Sequence, residues 1–512
     1  MSDKVVLRFA PSPTGPLHIG GVRTAWFNYL FAKKYNGTLI LRIEDTDQTR
    51  FVPGAEAYIK ESLEWAGIQF DEGVDEGGPN GPYRQSERQH LYRQYADQLV
   101  AEGKAYLAFD TPEEIEAMRE NLKAKGHKMP TYNYVTRNSM SNSLTLAKEE
   151  VEAKVAAGVP YVIRMRIPRK EEIRFHDQVR QWVVVHSNQL DDKVLLKSDG
   201  LPTYHLANVV DDHLMGITHV IRGEEWLPST PLHVLLYRAF GWEDQMPTFA
   251  HLPLILKPEG KGKLSKRDGD KYGFPVFPID WKSEISDEMA TGFRESGYLP
   301  EALTNFLALL GWSPGNDEEL MTTERMIEAF SLDRIQKGGA SFNIDKLKSF
   351  NQAYLRNTAD EDFLPVVRKN LEDKSGEWTD AFLLQAISIM KERVQFPQDL
   401  VHAAPFLYEK PTTFDQKMHR KRWKPEGKEY LRGLLEKWDE LTSWESPELE
   451  STFDTFITDN EIGKGKVLAP LRLALTGAPS GPGVFDIAAL IGKEDTFHRI
   501  KYAIENLEVV AA

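Results

Sequence analysis

The first 43 residues contain two apolar runs separated by one helical segment, and this arrangement restricts the fold more than any other feature. Val5–Ala10 is a short apolar run that ends in Pro11–Gly15, where two prolines and a glycine favour neither a helix nor a continued strand. From Val22 to Asn36 apolar residues recur at helical spacing, and Thr38–Ile43 is a second strand-like run. Because neighbouring parallel strands need a crossover helix, this βαβ pattern predicts a parallel sheet.

Later segments extend this pattern and interrupt it once. Residues 218–240 read as another strand and helix, whereas Thr111–Glu114 forms a capping box inside a mixed region, 105–202. After about residue 350 the periodic segments, such as Ala381–Arg393, are helical. The sequence therefore predicts an α/β fold in which a Rossmann-like parallel sheet is interrupted by an α+β insertion and followed by an all-α region.

The composition excludes several classes of protein. The 512 residues contain no cysteine, which excludes a disulfide framework, a thiol nucleophile, an iron–sulfur cluster and a cysteine-bound zinc site. The formal net charge of −14 argues against a protein that coats nucleic acid, so any RNA site must be a local patch. No apolar run approaches the ~20 residues of a membrane span and no signal-peptide pattern is present, so we expect a cytoplasmic protein with no membrane partner.

A glycine-rich loop, Gly15–Gly21, lies between the predicted strand and helix, where free backbone N–H groups favour an anion such as a nucleotide phosphate. Gly15 and Gly20 have the spacing of a Walker loop, but Gly21-Val22 replaces its Lys and Ser/Thr, and no dinucleotide fingerprint occurs here. His18 is suited to donate a hydrogen bond to a phosphate oxygen. On this segment alone, a lone histidine in a glycine turn explains the pattern equally well.

A second loop, Gly260–Gly273, is rich in Gly, Lys and Asp and contains Lys263, Lys266 and Arg267 around a serine. Three cations and a hydroxyl on a flexible loop are suited to close over a leaving pyrophosphate. A charge run by itself is more often a solvated surface loop.

Together the two loops resemble the two signatures of class I aminoacyl-tRNA synthetases, with His18-Ile19-Gly20 in the first turn and Lys263–Arg267 late in the α/β region. The first signature ends in Gly21 rather than in a second histidine, which is usual for the glutamyl branch. Over essentially the whole chain, further segments are similar to the bacterial glutamyl-tRNA synthetases: Pro11–Gly15, Arg42–Asp47, Gly81–Arg88, Tyr204–His213 and Arg222–Trp226.

The resemblance implies a glutamate–tRNA ligase that uses L-glutamate, ATP with Mg²⁺ and tRNA(Glu), and we expect a monomer. Several members of that family carry a cysteine/histidine zinc knot in the inserted module, which a chain without cysteine cannot form, so we expect no structural zinc. The resemblance implies a glutamate pocket formed by Arg8, Ala10, Ser12, Glu44, Tyr204, Asn208 and Arg222. The implied catalytic residues are His18, Lys263, Lys266 and Arg267. The implied ATP side comprises Thr14, His18, Gly20, Gly21, Glu225, Lys263, Leu264, Ser265, Lys266 and Arg267.

The residue types of this pocket suit glutamate. Arg8 and Arg222 are charged residues on strands where apolar ones would cost less, and arginine binds carboxylates in a bidentate manner. Glu44 follows the second strand and is suited to accept a hydrogen bond from the substrate ammonium. Which arginine holds which carboxylate stays open. The acidic residues around Glu44, together with Asp211-Asp212, also fit an acidic turn or the metal site of a hydrolase.

By the same resemblance the chain divides as follows: a catalytic domain at 1–104 and 203–275, an inserted acceptor-end-binding module at 105–202, a stem-contact domain at 276–350, and two helical anticodon-binding domains at 351–430 and 431–512. Arg393 matches a reader of the third anticodon base. Around 410–428, the chain offers the ring of Trp423 for stacking and six cations for phosphates: Lys417, Arg420, Lys421, Arg422, Lys424 and Lys428. A solvated basic helix face is an equally simple explanation.

Other functions fit less of the sequence. A glutaminyl enzyme would show β-barrel patterning after residue 350, and a nucleotidyltransferase for a small acid would share the histidine loop but leave about 300 residues without a role. A protein that only binds RNA would not need the cationic loop. Whether glutamine tRNA is also charged stays open.

Overall fold

The computed structural model describes residues 4–128, 130–265 and 267–509. The chain divides into two units. The first consists of the residues up to Ser296 together with Pro300–Ile344, and the second of Gly297–Leu299 together with the residues from Asp345 onward. Among the described residues, no helix has the length and apolar character needed to cross a bilayer.

The strands of the described residues all lie in the first unit. They are β1 Val6–Phe9, β2 Thr38–Leu41, β3 Ala105–Ala108, β4 Val162–Met165, β5 Glu172–Asp177, β6 Gln181–His186, β7 Val194–Leu196, β8 His219–Gly223, β9 Thr248–Leu252, β10 Ile255–Leu256, β11 Trp281–Lys282, β12 Met289–Ala290 and β13 Ala340–Ser341.

The helices are distributed over both units. Those before residue 344 are α1 Ile19–Lys34, α2 Ala55–Trp65, α3 Gln89–Ala101, α4 Pro112–Ala124, α5 Lys148–Ala156, α6 Tyr204–Leu214, α7 Thr230–Ala239, α8 Asp268–Tyr272, α9 Pro300–Leu309 and α10 Thr323–Ala329. The later ones are α11 Ile344–Asn357, α12 Leu364–Leu371, α13 Asp380–Lys391, α14 Asp399–His402, α15 Pro405–Tyr408, α16 Gln416–Arg422, α17 Pro425–Asp439, α18 Ser446–Asp459, α19 Gly465–Thr476, α20 Val484–Ile491 and α21 Lys493–Asn506.

The main sheet has six strands in the order β2-β1-β8-β9-β5-β6, and every pair in it is parallel except β5–β6. The predicted βαβ unit is present as β1, α1 and β2. Helix α1 packs on β1 and also against α9 and α10, which explains why its buried residues lie on almost every face. The prediction of a Rossmann-like parallel sheet is confirmed.

The inserted region differs in one respect from the expectation that 105–202 forms a separate module. Strands β3, β4 and β7 form an antiparallel sheet of their own, whereas the β5–β6 hairpin joins the edge of the main sheet through β9. Alternate residues of β5, such as Ile173 and Phe175, are buried, as in a strand with one face on the core, but this alternation does not determine which sheet the strand joins.

The second unit contains only helices among its described residues, so the prediction of an all-α region after the sheet is confirmed. Its helices bury two apolar cores. One includes Trp423, Trp438 and Phe453, and the other includes Phe363, Leu383 and Met390.

Candidate active site

The carboxyl ends of β1, β2 and β8 open on one cavity of about 420 Å³ in the first unit. In parallel sheets ligands bind at this end of the strands. The cavity is lined by twelve of the residues that the sequence singled out: Arg8, Ala10, Ser12, Thr14, His18, Gly20, Gly21, Glu44, Tyr204, Asn208, Arg222 and Glu225. Tyr204 and Asn208 lie one turn apart on α6, as their spacing predicts.

A second cavity of about 330 Å³ adjoins the first and extends to the cationic loop. It shares His18, Gly20, Gly21 and Glu225 with the first cavity, and its other lining residues include Lys263, Leu264 and Ser265. His18 and the cationic loop, 245 positions apart in sequence (263 − 18), therefore face the same space.

Two members of the cationic loop are not placed at this cavity. Lys266 lies outside the described residues. Arg267 is exposed and does not belong to the lining of either cavity. Leu264 contributes as a buried apolar side chain, and its backbone N–H donates to the carbonyl of Ile255 at 2.9 Å.

His18 is the residue immediately before α1 and caps its N-terminus. Its Nδ1 accepts a hydrogen bond from the backbone N–H of Gly20 at 3.1 Å. Because Nδ1 is an acceptor, a neutral His18 ring carries its proton on Nε2. Gly15, which precedes it in the loop, has φ of 133°, a conformation that residues with a Cβ rarely adopt.

Among the described residues of the cationic loop, Lys263 forms an ion pair with the segment that follows β8. Lys263 Nζ lies 2.8 Å from Glu225 Oε1, and both side chains are about half exposed. Burial alone would raise the pKa of Glu225, but the hydrogen bond and charge of Lys263 hold that pKa below its usual value. An exposed pair of this kind stabilises by about 0–1 kcal/mol, so Lys263 can exchange this partner for a phosphate at little cost.

The base of the loop is fixed by Asp268. Its carboxylate accepts hydrogen bonds from the backbone N–H and the hydroxyl of Ser265, and it pairs with Lys257 at 2.9 Å. These contacts, the Ser265 hydroxyl first among them, lower the pKa of Asp268 to about 2. The hydroxyl of Ser265 is therefore engaged by the loop itself.

A buried ion network holds the floor of the first cavity, and sequence analysis did not single out its central residue. Arg42 is fully buried and pairs with Asp212 at 2.8 Å and with Glu44 at 3.1 Å. Asp212 also receives Arg8 at 3.0 Å, and Asn208 donates to Glu44 at 3.1 Å. Burial raises the pKa of Glu44 and the charge of Arg42 opposes that rise.

Asp211 and Asp212 face arginines rather than a metal. Asp211 accepts from Arg88 at 2.7 Å and from Tyr92 at 2.7 Å. No cluster of three or more His, Cys, Asp or Glu side chains within the described ranges is arranged to hold a metal ion. Asp211 and Asp212 therefore serve as partners of buried arginines.

Arg222 differs from the other two arginines because it has no ion-pair partner in the described part of the chain. Its guanidinium donates to Tyr204 Oη at 2.8 Å, to Thr230 Oγ1 at 2.9 Å, to the carbonyl of Trp226 at 3.4 Å and to His251 Nε2 at 3.0 Å. All these partners are neutral, so the positive charge of Arg222 is held in place but not neutralised. A buried, uncompensated cation in a cavity favours an anionic ligand.

The second unit presents its cations around α16 and α19. Lys417, Lys421 and Arg422 line a cavity of about 560 Å³ together with Arg472. Burial lowers the pKa of Arg472, and the nearby charge of Arg393, which is exposed, lowers it further.

The expectation that Trp423 offers a ring for stacking is wrong. Its ring is fully buried in the helical core, and its indole N–H donates to the carbonyl of Leu507 at 3.1 Å. In the sequence this aromatic residue stands among cations because α16 ends here. The ring of Trp423 is buried, while its neighbours Lys421 and Arg422 are exposed.

Comparisons with known proteins agree with this geometry. Residues 4–349 match the family described as "tRNA synthetases class I (E and Q), catalytic domain", and residues 359–504 match the family described as "Anticodon binding domain". The chain belongs to the class I glutamate and glutamine tRNA synthetases.

Relatives within this synthetase family cover the full chain. The glutamate–tRNA ligase of Cytophaga hutchinsonii is 53% identical over 511 residues, with 99% of each chain covered. The crystal structure of a glutamate tRNA ligase from Elizabethkingia meningosepticum in complex with its amino acid superposes with a TM-score of 0.94 at 50% identity, covering 99% of this chain and 100% of that one. The glutamate–tRNA synthetase of Elizabethkingia anophelis gives a TM-score of 0.92 at 48% identity, covering 98% and 100%.

These relatives confirm the predicted family, the fold class and the assignment as an aminoacyl-tRNA synthetase of the glutamyl type. The roles assigned to individual site residues and the domain boundaries stay predictions.

Proposed function

We propose that this synthetase activates L-glutamate with ATP to form glutamyl-adenylate and pyrophosphate, and then transfers the glutamyl group to the 3′ end of tRNA(Glu) in the cytoplasm. One observation supports this above all others. The uncompensated charge of Arg222 and the His18 imidazole line one cavity, and that cavity continues to Lys263.

Glutamate fits the first cavity by charge. Arg222 binds one carboxylate of the substrate through its uncompensated charge. Arg8 donates to the substrate from the guanidinium N–H groups that do not contact Asp212. Glu44 accepts a hydrogen bond from the substrate ammonium, in addition to those that it accepts from Arg42 and Asn208. Glutamine in place of glutamate would leave a buried guanidinium without an anion, at a cost of several kcal/mol, and each ~1.4 kcal/mol is tenfold in selectivity.

The phosphates of ATP fit the space between the glycine loop and the cationic loop. The α-carboxylate of glutamate attacks the α-phosphorus in line, and pyrophosphate leaves with the electron pair of the breaking P–O bond. His18 Nε2–H donates to the oxygens that gain charge, and the N–H groups at the start of α1 face the same anion. Lys263, Lys266 and Arg267 neutralise the leaving pyrophosphate when the loop closes, while Lys263 exchanges Glu225 for a phosphate. Mg²⁺ accompanies the phosphate oxygens of ATP.

The tRNA fits the second unit through local charge, because the whole chain is acidic. Arg393 and Arg472 lie close enough for their charges to interact, so an anion or a base edge with acceptors relieves their repulsion. The exposed cations of α16 suit the neighbouring phosphates.

Glutamate-dependent exchange of label between pyrophosphate and ATP, with and without tRNA(Glu), tests the proposal. We expect exchange with glutamate and not with glutamine. We also expect exchange to require tRNA, because members of the branch that this chain resembles generally need bound tRNA before they activate the amino acid. Exchange with glutamine at equal efficiency would contradict the assignment, and full exchange without tRNA would contradict the proposed dependence on RNA.

A further inference from the structure

Two buried residues outside the cavity, Asp177 and His251, form a hydrogen-bonded series that ends at Arg222. Arg222 Nε donates to His251 Nε2 at 3.0 Å, and His251 Nδ1 lies 2.6 Å from Asp177 Oδ2. The side chains of His251 and Asp177 are completely buried, and neither belongs to the cavity lining. Strand β9 supplies His251 at the position that pairs with Arg222 of β8, and the end of β5 supplies Asp177.

The hydrogen-bond partners fix the tautomer of His251. Nε2 faces two donors, the Nε–H of Arg222 and the hydroxyl of Thr230 at 3.2 Å, whose oxygen already accepts from Arg222. Nε2 must therefore be an acceptor, and the ring proton lies on Nδ1, where the carboxylate of Asp177 accepts it. Burial lowers the pKa of His251 to about 4 although Asp177 opposes that change, so the ring is neutral near pH 7.

Asp177 is itself held by the backbone of the β5–β6 turn. Its Oδ1 accepts from the N–H groups of Val179 at 3.0 Å and Arg180 at 2.8 Å, and from the N–H of His251 at 3.3 Å. Its Oδ2 remains for the imidazole. The turn therefore fixes the position of the Asp177 carboxylate, and the carboxylate fixes the orientation and the tautomer of the His251 ring.

We infer that Asp177 and His251 are positioning residues for glutamate binding: they orient the guanidinium of Arg222 through a neutral imidazole. This inference rests on the proposed function. A carboxylate in direct contact with Arg222 would also orient it but would neutralise its charge, as Asp212 does for Arg8. The imidazole transmits the position of Asp177 and keeps the anion one ring away, so Arg222 stays available to a substrate carboxylate.

The Asp177→Asn variant tests the tautomer. Its amide oxygen can keep the backbone hydrogen bonds, whereas its NH₂ faces His251 Nδ1 and moves the ring proton to Nε2, opposite the N–H of Arg222. In exchange assays with tRNA(Glu), we expect the KM for glutamate to rise about ten- to hundredfold, with the KM for ATP within about twofold, because one charge-bearing hydrogen bond is lost and Arg222 moves. An unchanged KM for glutamate, or an equal rise in both values, would overturn the inference.

Substitution of His251 tests whether Asp177 acts through it. His251→Gln retains an acceptor for Arg222 and needs no tautomer, whereas His251→Leu has no acceptor. We expect His251→Gln to bind glutamate better than His251→Leu, and we expect Asp177→Asn to have no further effect on the KM for glutamate in the His251→Gln background. Independent, multiplicative effects of the two substitutions would overturn the series arrangement.

A matched control separates positioning from stability. Asp192 is another fully buried carboxylate, which pairs with Arg137 at 3.0 Å in the inserted region. Asp192→Asn should lower the unfolding temperature as Asp177→Asn does, with the KM for glutamate unchanged; a similar rise in KM would assign the effect to lost stability. Absence of exchange in the wild-type protein would contradict the proposed function itself, whereas wild-type exchange with insensitive variants contradicts only this inference.

Discussion

Three arginines, Arg8 of β1, Arg42 just after β2 and Arg222 of β8, differ in how their charges are compensated, and this difference indicates what the cavity binds. Arg8 and Arg42 share Asp212, and Arg42 also has Glu44. Arg222 has only neutral partners in the described part of the chain. Because a buried charge without a counterion is costly, the uncompensated arginine is the one that a ligand anion stabilises most.

Replacement of Arg222 should therefore weaken the binding of glutamate far more than the binding of ATP. We expect Arg222→Leu to lower kcat/KM for glutamate about 10³-fold, since a buried charge pair is worth several kcal/mol, and to leave the KM for ATP within about twofold. Initial-rate exchange kinetics with each substrate varied in turn measure this. Arg174→Leu, at an exposed position of β5, is the control and should match the wild-type enzyme. Equal losses for glutamate and ATP would remove Arg222 from the amino-acid pocket.

His18 combines two roles that substitutions can separate. His18→Ala removes the cap of α1 and the Nε2–H donor, whereas His18→Asn can keep the cap. We expect both variants to lower kcat about 10²- to 10³-fold, as for the loss of one oxyanion donor, and only His18→Ala to lose about 1 kcal/mol of stability. Single-turnover formation of adenylate and thermal unfolding measure the two effects. A wild-type kcat in His18→Ala, which has no side-chain donor, would exclude His18 as the phosphate donor.

At the scale of secondary-structure elements, Asp212 joins α6 to the first two strands. It lies one turn beyond Asn208 on α6. Its carboxylate forms ion pairs with Arg8 of β1 and with Arg42, which follows β2. Burial would raise the pKa of Asp212, but Arg8 and Arg42 hold it below the usual 3.8. The ion pairs therefore stabilise the fold at any pH above about 4 and lose this contribution as the pH falls through the lowered pKa.

We expect Asp212→Asn to destabilise the protein by about 3–5 kcal/mol near pH 7, because it leaves two buried guanidiniums undercompensated. Below pH 4 the wild-type protein should lose stability more steeply than the variant, so the difference between them should shrink. Unfolding midpoints from circular dichroism between pH 7 and pH 3 provide the measurement. A difference that is constant or grows in acid would show that the Asp212 carboxylate is not the group responsible.

The sequence predicted the elements that local patterns determine. The β1–α1–β2 order followed from apolar runs, prolines and glycines, and the all-α region followed from helical periodicity. The pocket was predicted because charged residues in apolar strands, Arg8 and Arg222, coincided with family motifs. The sequence did not reveal that Arg42, just after β2, holds the floor of the pocket, since its partner Asp212 is distant in sequence.

Long-range pairing set the limit of prediction. The sequence indicates a strand at β6, but only the contact of β5 with β9 assigns the β5–β6 hairpin to the main sheet. The series from Asp177 to Arg222 depends on that same contact and on β8–β9 pairing, so no local pattern could reveal it. The burial of Trp423 likewise depends on α21, whose chain lies about 80 residues later.

At the scale of the whole molecule, charge is distributed unevenly. The chain has a net charge of −14, yet α16 ends in a run of cations with Lys421 and Arg422 exposed. Because a polyanion is repelled by the molecule as a whole, local cations must provide most of the attraction that binds tRNA to this unit.

Reversal of the charges at the end of α16 should therefore weaken the binding of tRNA without affecting the binding of glutamate or ATP. We expect Lys421→Glu with Arg422→Glu to raise the KM for tRNA(Glu) about tenfold or more and to reduce its salt dependence, with the KM for glutamate and ATP unchanged at saturating tRNA. Aminoacylation rates at several salt concentrations measure this. Lys437→Glu, an exposed position of α17, is the matched control. An equal effect of Lys437→Glu would indicate nonspecific repulsion.

A crystal structure with a non-hydrolysable glutamyl-adenylate analogue would locate the substrate in this cavity. We expect the side-chain or α-carboxylate position of glutamate to lie against Arg222, its ammonium against Glu44, and the phosphate mimic between His18 and the loop that contains Lys263. An analogue bound elsewhere, or one bound here with no contact to Arg222 or His18, would contradict it.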